Sequence, residues 1–204
     1  MAHKRPHRAR SERPLAPTPT PSNPPPHVYS TIGYDRAADK RDDAAFQAAA
    51  LRDPESRFLV LHGLKPLFVE DATGPRPLFL GAAALAAHRP APPVFLGLRD
   101  GRAVFAVELD GAEIEGGTYL ELRSVGAELP PDEAGLLAFA RGLVHWRLRH
   151  RYCGACGGPM TTLRAGHARH CPACGFDTFP RTDPAVICLV TSGEHCLLGR
   201  SRHF

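Results

Sequence analysis

Four cysteines carry the clearest chemistry in this chain: Cys153-x2-Cys156, fourteen residues, then Cys171-x2-Cys174. Two intervening residues let one tight turn aim both sulfurs at a single ion. Two such turns supply the four ligands that Zn²⁺ takes in a tetrahedron. Gly154, Gly157 and Gly158 serve the first turn and Gly175 the second. Backbone amides in such turns offset the charge of the thiolates. Pro159–His170 is long enough for two short strands that bring the turns together. The pattern reads as a zinc ribbon with a closed structural site, which stabilises folding and leaves no open position to activate water. A redox pair leaves the second, matched pair unexplained, and an iron–sulfur centre is less usual at this spacing. His167 and His170 are surplus to a four-sulfur site and read as surface residues. Cys188 and Cys196 read as small buried hydrophobes.

The elements around this cluster follow from periodicity. Pro131–Arg149 is the clearest helix, with Asp132 as its expected cap. Leu136, Phe139, Leu143 and Trp146 make its apolar stripe, with Leu137, Val144 and Leu148 beside it. Arg147, Arg149, His150 and Arg151 crowd its carboxyl end, where cations complement the helix dipole. Upstream, Asp39–Leu51 reads as a helix ending at Asp53-Pro54. Arg57–His62, Lys65–Glu70 and Pro77–Gly81 are strand candidates. Val94–Leu98 and Arg102–Leu109 flank Asp100-Gly101, a hairpin signal because both turn residues tolerate positive φ. Downstream, Ala185–Val190 and His195–Gly199 read as the arms of a second hairpin around Gly193.

Charge narrows the choice of function. Residues 1–30 hold five basic residues against Glu12 alone, and residues 31–204 carry 20 basic and 20 acidic residues. The formal charge of +4 therefore belongs to the amino-terminal tail. Eight of the 21 prolines also lie within residues 1–28, which predicts a disordered segment. The remainder is neutral, so no global basic field argues for nucleic acid. No apolar run approaches the roughly 18 residues that would span a bilayer. The start is basic without an apolar stretch after it, so no secretory signal is expected. Together with metal-type cysteines, these features predict a cytoplasmic protein.

Arg-Tyr-Cys-Gly-Ala-Cys-Gly (151–157), Cys-Pro-Ala-Cys-Gly (171–175) and Phe-Pro-Arg-Thr-Asp-Pro-Ala-Val-Ile (179–187) follow a helix bearing Trp146. In this order they resemble the NADH pyrophosphatase (NudC-type) family of Nudix hydrolases, over about Leu136–Arg200. The resemblance implies a NAD(H) diphosphatase that gives AMP and nicotinamide mononucleotide, with removal of NAD caps from RNA among relatives. It further implies a homodimer and Mg²⁺ or Mn²⁺ at the catalytic site besides the ribbon zinc. By position, Cys153, Cys156, Cys171 and Cys174 take the zinc ligands. Phe179 falls where the family often has a substrate-contacting Tyr, so a hydroxyl contact is lost. Arg123 matches a family Arg expected to touch substrate.

The family's catalytic helix needs Gly-x5-Glu-x7-Arg-Glu-x2-Glu-Glu, whose carboxylates hold divalent cations. No Arg-Glu and no Glu-Glu dipeptide occurs in these 204 residues, so none of the ten glutamates fits the part and no catalytic residue is assigned. The expectation is a carboxyl-truncated family member that is inactive alone. The fold class expected is α+β: a small mixed amino-terminal domain, a zinc ribbon and the first hairpin of a Nudix α/β/α domain. The divisions are a tail over 1–28, the mixed domain over 29–130, a connecting helix over 131–150, the ribbon over 151–178 and a Nudix start over 179–204. The alternative is a non-catalytic zinc-ribbon module that binds protein or nucleic acid through the basic segment Arg147–Arg151. Its neutral surroundings rank nucleic acid second among partners.

Overall fold

A computed structural model describes residues 27–30, 33–88, 90–111, 113–199 and 202. The proline-rich stretch 1–26 lies outside the described residues. The chain builds one mixed sheet first. Its strands are β1 (Arg57–His62), β2 (Lys65–Asp71), β3 (Gly74–Pro77), β4 (Phe79–Leu80), β5 (Val94–Arg99), β6 (Arg102–Glu108) and β7 (Thr118–Tyr119). The order is β3-β2-β1-β6-β5, with β4 also on β1 and β7 also on β2. β1 and β6 run parallel at the centre, and the other pairs are antiparallel.

Helices cover both faces. α1 (Ala44–Ala50) and α2 (Ala82–Ala86) lie on one, and α3 (Leu122–Val125) and α4 (Pro131–Arg149) on the other. The central strands are therefore apolar on both sides and alternate between two cores. Leu59 and Leu61 of β1 pack with Val104 and Ala106 of β6 under α4. Phe58 and Val60 pack with Phe105 and Val107 on the opposite face. Phe58 stacks on Phe105 with ring centroids 5.2 Å apart. Strands buried on both faces read as continuous apolar runs, as Phe-Leu-Val-Leu does here.

Local chemistry explains where the elements differ from expectation. The segment expected as one helix over Asp39–Leu51 is broken into a 3₁₀ turn (Ala38–Asp42) and α1. Asp43 is extended, and its carboxylate accepts from the Phe46 amide at 2.9 Å, capping α1 and ending what precedes it. At α4 the cap is Pro130, with Pro131 at the first helical position, where its missing N–H costs nothing. Asp132 does not cap; its carboxylate and that of Glu133 each lie 3.5 Å from Arg99. The buried face of α4 is centred on Leu136, Leu137, Ala140, Leu143 and Val144. Phe139 and Trp146, expected in the stripe, sit half-buried at its edge.

The β5–β6 turn has Asp100 at φ 51° and Gly101 at φ 74°, the conformation expected of a two-residue hairpin. β5 carries a bulge between Phe95 and Gly97. Gly97 has φ 146°, and a Cβ there would collide with the backbone carbonyl of Asp35, which pairs with Leu98 across the sheet edge.

The second sheet is small: β8 (Thr161–Leu163), β9 (Ala168–His170) and β10 (Asp177–Thr178), antiparallel in the order β10-β9-β8. A hairpin of β11 (Thr191–Ser192) and β12 (His195–Cys196) follows. Its strands are shorter than expected. Of the run Ala185–Val190, Val190 alone joins it, through its carbonyl and the Leu197 amide at 2.9 Å. The run is exposed, and Cys188 and Cys196 are exposed rather than buried, because no element among the described residues packs over the hairpin. No helix among the described residues is long and apolar enough to cross a membrane.

Candidate metal centre

The two Cys-x-x-Cys turns have the same backbone. In the first, the Cys153 amide donates to the Gly158 carbonyl at 2.8 Å and the Gly157 amide donates to the Cys153 carbonyl at 2.9 Å. In the second, the Cys171 amide donates to the Phe176 carbonyl at 2.9 Å and the Gly175 amide to the Cys171 carbonyl at 2.9 Å. Gly157 and Gly175 occupy matching positions with φ of 77° and 74°, a left-handed conformation that favours glycine. β8 and β9 arise between the turns and bring them face to face.

All four Sγ atoms lie within 4.8 Å of one another. Cys153 and Cys174 are 3.7 Å apart at sulfur, and Cys156 and Cys171 are 3.5 Å apart. A disulfide needs about 2.05 Å, so these are not cystines. Four sulfurs at about 2.3 Å from one Zn²⁺ in a tetrahedron stand about 3.8 Å from each other. The donor set and its spacing therefore fit zinc. The Cys156 and Ala155 amides direct hydrogen bonds at Cys153 and pull its thiol down to about 7. At Cys174 the Phe176 amide pulls the thiol down, but Cys156, burial and the other sulfurs outweigh it and push it up to about 12. Four crowded thiols resist joint ionisation without a cation among them.

The ribbon is fastened to the large sheet by polar contacts that the sequence did not announce. Cys171 and Cys153 are buried with Met160, but His167 is buried too, contrary to the surface position expected for it. Its Nε2 lies 2.7 Å from the Phe95 carbonyl, at the β5 bulge. Burial drives His167 down to about 4, opposed by that hydrogen bond and reinforced by Arg41, Arg36 and Arg164. It is a neutral ring whose Nε2–H donates. Arg164 of the ribbon meets Asp42 at 3.1 Å, and Arg169 donates from Nη2 to the Arg147 carbonyl at 3.0 Å. His170 is half-buried, with Nδ1 2.6 Å from Asp177. No motif marks these positions; a lone His carries no signal without the fold.

The other sequence candidates are dispersed. Arg123 is exposed on α3, and Phe179 is exposed just after β10. Phe179 precedes Pro180 and Arg181, which with Tyr29, Arg36, Phe139 and Trp146 line a groove of about 520 Å³. Arg36 lies over the Phe139 ring, 4.1 Å from its centroid. Trp146 is thus a groove wall and not core. Arg147 is more than a dipole complement: it turns its guanidinium to the Pro92 carbonyl, Nη1 donating at 2.8 Å, and burial then Arg169 lower it to about 10.

Comparison with known proteins decides the lineage. Residues 55–146 match the NADH pyrophosphatase-like rudimentary NUDIX domain, and residues 148–179 match the NADH pyrophosphatase zinc ribbon domain. The chain belongs to the NADH pyrophosphatase family. The NAD-capped RNA hydrolase NudC of Stutzerimonas stutzeri (strain A1501) is 42% identical over 110 residues, covering 53% of this chain and 40% of the relative. The protein of the same name from Deinococcus radiodurans is 34% identical over 159 residues, covering 78% of this chain and 52% of the relative. That of Pseudomonas putida (strain W619) is 40% identical over 110 residues, 53% of this chain and 40% of the relative. The chain spans about half the length of the curated relatives it matches. In this family member the rudimentary NUDIX domain is the two-faced sheet with α4, and the ribbon is the four-thiol unit docked at its β5 edge.

Proposed function

We propose that this chain supplies the amino-terminal and zinc-ribbon parts of a NAD(H) diphosphatase, the enzyme class that splits the dinucleotide pyrophosphate into AMP and nicotinamide mononucleotide. Removal of NAD caps from RNA belongs to the same reading, as does a cytoplasmic homodimer. The observation that carries it is the matched pair of cysteine turns, docked through His167 onto a sheet that matches the NADH pyrophosphatase-like domain. Cys153, Cys156, Cys171 and Cys174 would hold one Zn²⁺, which supplies folding stability and no reactive position. Phe179 and Arg123 are the proposed substrate contacts, one stacking through its ring and one through charge. The divisions 29–130, 131–150, 151–178 and 179–204 are the working boundaries of this arrangement.

Hydrolysis in this class uses Mg²⁺ or Mn²⁺ held by a carboxylate cluster. The 204 residues contain no Arg-Glu or Glu-Glu pair to provide one. These residues alone therefore do not hydrolyse NADH. The test is AMP release from NADH by the purified, zinc-replete chain in the presence of magnesium. Background rates are expected, and magnesium-dependent turnover above them refutes this reading.

A further inference from the structure

Between the carboxyl end of α4, the end of β6 and the ribbon lies a pocket of about 240 Å³ that the metal centre does not use. Arg147, Arg151 and Arg169 line it, together with Thr162, Pro92 and Glu108. Three arginines thus share one pocket with a single glutamate. None of the three arginines forms an ion pair among the described residues. Their hydrogen bonds go to backbone carbonyls instead: Arg147 Nη1 to Pro92 at 2.8 Å, Arg169 Nη1 to Met160 at 3.2 Å and Arg169 Nη2 to Arg147 at 3.0 Å. These contacts hold two like charges side by side without neutralising them.

Two donors and one acceptor are left over. The Nε atoms of Arg147 and Arg169 are buried and have no hydrogen-bond partner. So does Oε2 of Glu108, whose Oε1 accepts from the Gly63 amide at 2.7 Å. A buried polar group without a partner costs stability. Fixed, uncompensated guanidinium groups with free N–H donors are the recognition chemistry of a phosphate, which offers several strong acceptor oxygens. The spare Glu108 oxygen asks for a donor nearby, as a sugar hydroxyl provides.

We propose that this pocket binds a sugar phosphate, with the phosphate on Arg147, Arg151 and Arg169 and a hydroxyl of the sugar on Glu108. The site is separate from the four-thiol cluster and does not depend on the hydrolase reading. Its ligand is either a free sugar phosphate or one unit of an RNA backbone.

Isothermal titration calorimetry of the zinc-replete 204-residue chain at low ionic strength, with ribose 5-phosphate and in parallel with a short single-stranded RNA, tests it. Binding is expected to weaken roughly tenfold in Arg151→Ala, which removes one charge-assisted contact. Arg147→Gln is expected to weaken it about as much or more, because it also removes a buried Nε donor. Zinc content and melting temperature report whether each variant is folded. Arg151→Ala decides the matter if Arg147→Gln is not, because the Arg151 side chain is exposed. Binding of both probes with this arginine dependence assigns the site to free sugar phosphates, and binding of RNA alone assigns it to the polymer. Failure of both probes to bind overturns the proposal, and so does wild-type affinity in the folded variants.

Discussion

His167 of the ribbon donates from Nε2 to the carbonyl of Phe95, 2.7 Å away, at the point where the β5 strand bulges. One neutral imidazole thus joins the two halves of the chain, with Arg36, Arg41 and Arg164 as the charges facing it.

That contact predicts a pH dependence. The folded pKa of His167, about 4, is below the ordinary value of 6.5, so the unfolded chain binds the proton first as pH falls. The penalty is absent above pH 6.5 and grows as pH drops towards 4. At its full extent it amounts to about 3 kcal/mol. Urea unfolding of wild type and His167→Gln across this window should show the wild type losing more stability, the difference between them changing with pH. Parallel pH profiles would show that His167 is not buried in its neutral form.

Zinc removal should act locally before it acts globally. Metal analysis of the native chain is expected to give about one zinc ion per chain. Cys174→Ser should lose most of it. Hydrogen exchange should then accelerate at β8, β9 and β10, while β1 and β6 stay protected, because the large sheet has two apolar cores of its own. Equal loss of protection in both sheets would contradict this order.

Gly97→Ala places a Cβ against the Asp35 carbonyl at a φ of 146°. A destabilisation of about 1–3 kcal/mol is expected from strain of this kind. The second effect is on docking: the same bulge presents the Phe95 carbonyl to His167. Faster exchange at the ribbon edge in this variant, with zinc still bound, would register it.

The buried centre of α4 is tested by a pair of truncations. Leu137 is fully buried between the helix and the sheet, and Leu137→Ala should cost about 2–5 kcal/mol. Phe139→Ala removes a larger side chain from the groove edge and is expected to cost less, since the ring is only partly buried whereas Leu137 is fully so. The reverse order in denaturant melts would favour the stripe read from periodicity alone.

Much of this molecule is legible in local sequence because local forces decide it. The Asp100-Gly101 turn, the apolar runs of β1, β5 and β6, the extent of α4 and the cysteine spacing all depend on neighbours within a few residues. The pairing of the two cysteine turns was legible too, since a strand pair is the shortest way to bring them together. The break of Asp39–Leu51 at Asp43 was readable in principle, because aspartate at a helix start competes for the backbone amides that follow.

By itself, then, the sequence determined the four-sulfur ribbon and its place beside a long helix, both set by turn chemistry and helical period. Tertiary structure alone decided what each marked side chain does. Periodicity locates an apolar face but not its centre, so Trp146 and Phe139 fell at the edge of a groove and Leu137 in the core. A histidine reads alike whether solvated or buried, and only the approach of β5 to the ribbon made His167 a neutral donor. Arg147 and Arg169 lie 22 residues apart in the chain, and only folding set their charges side by side. Contacts between distant residues depend on how whole elements pack, which no local pattern records.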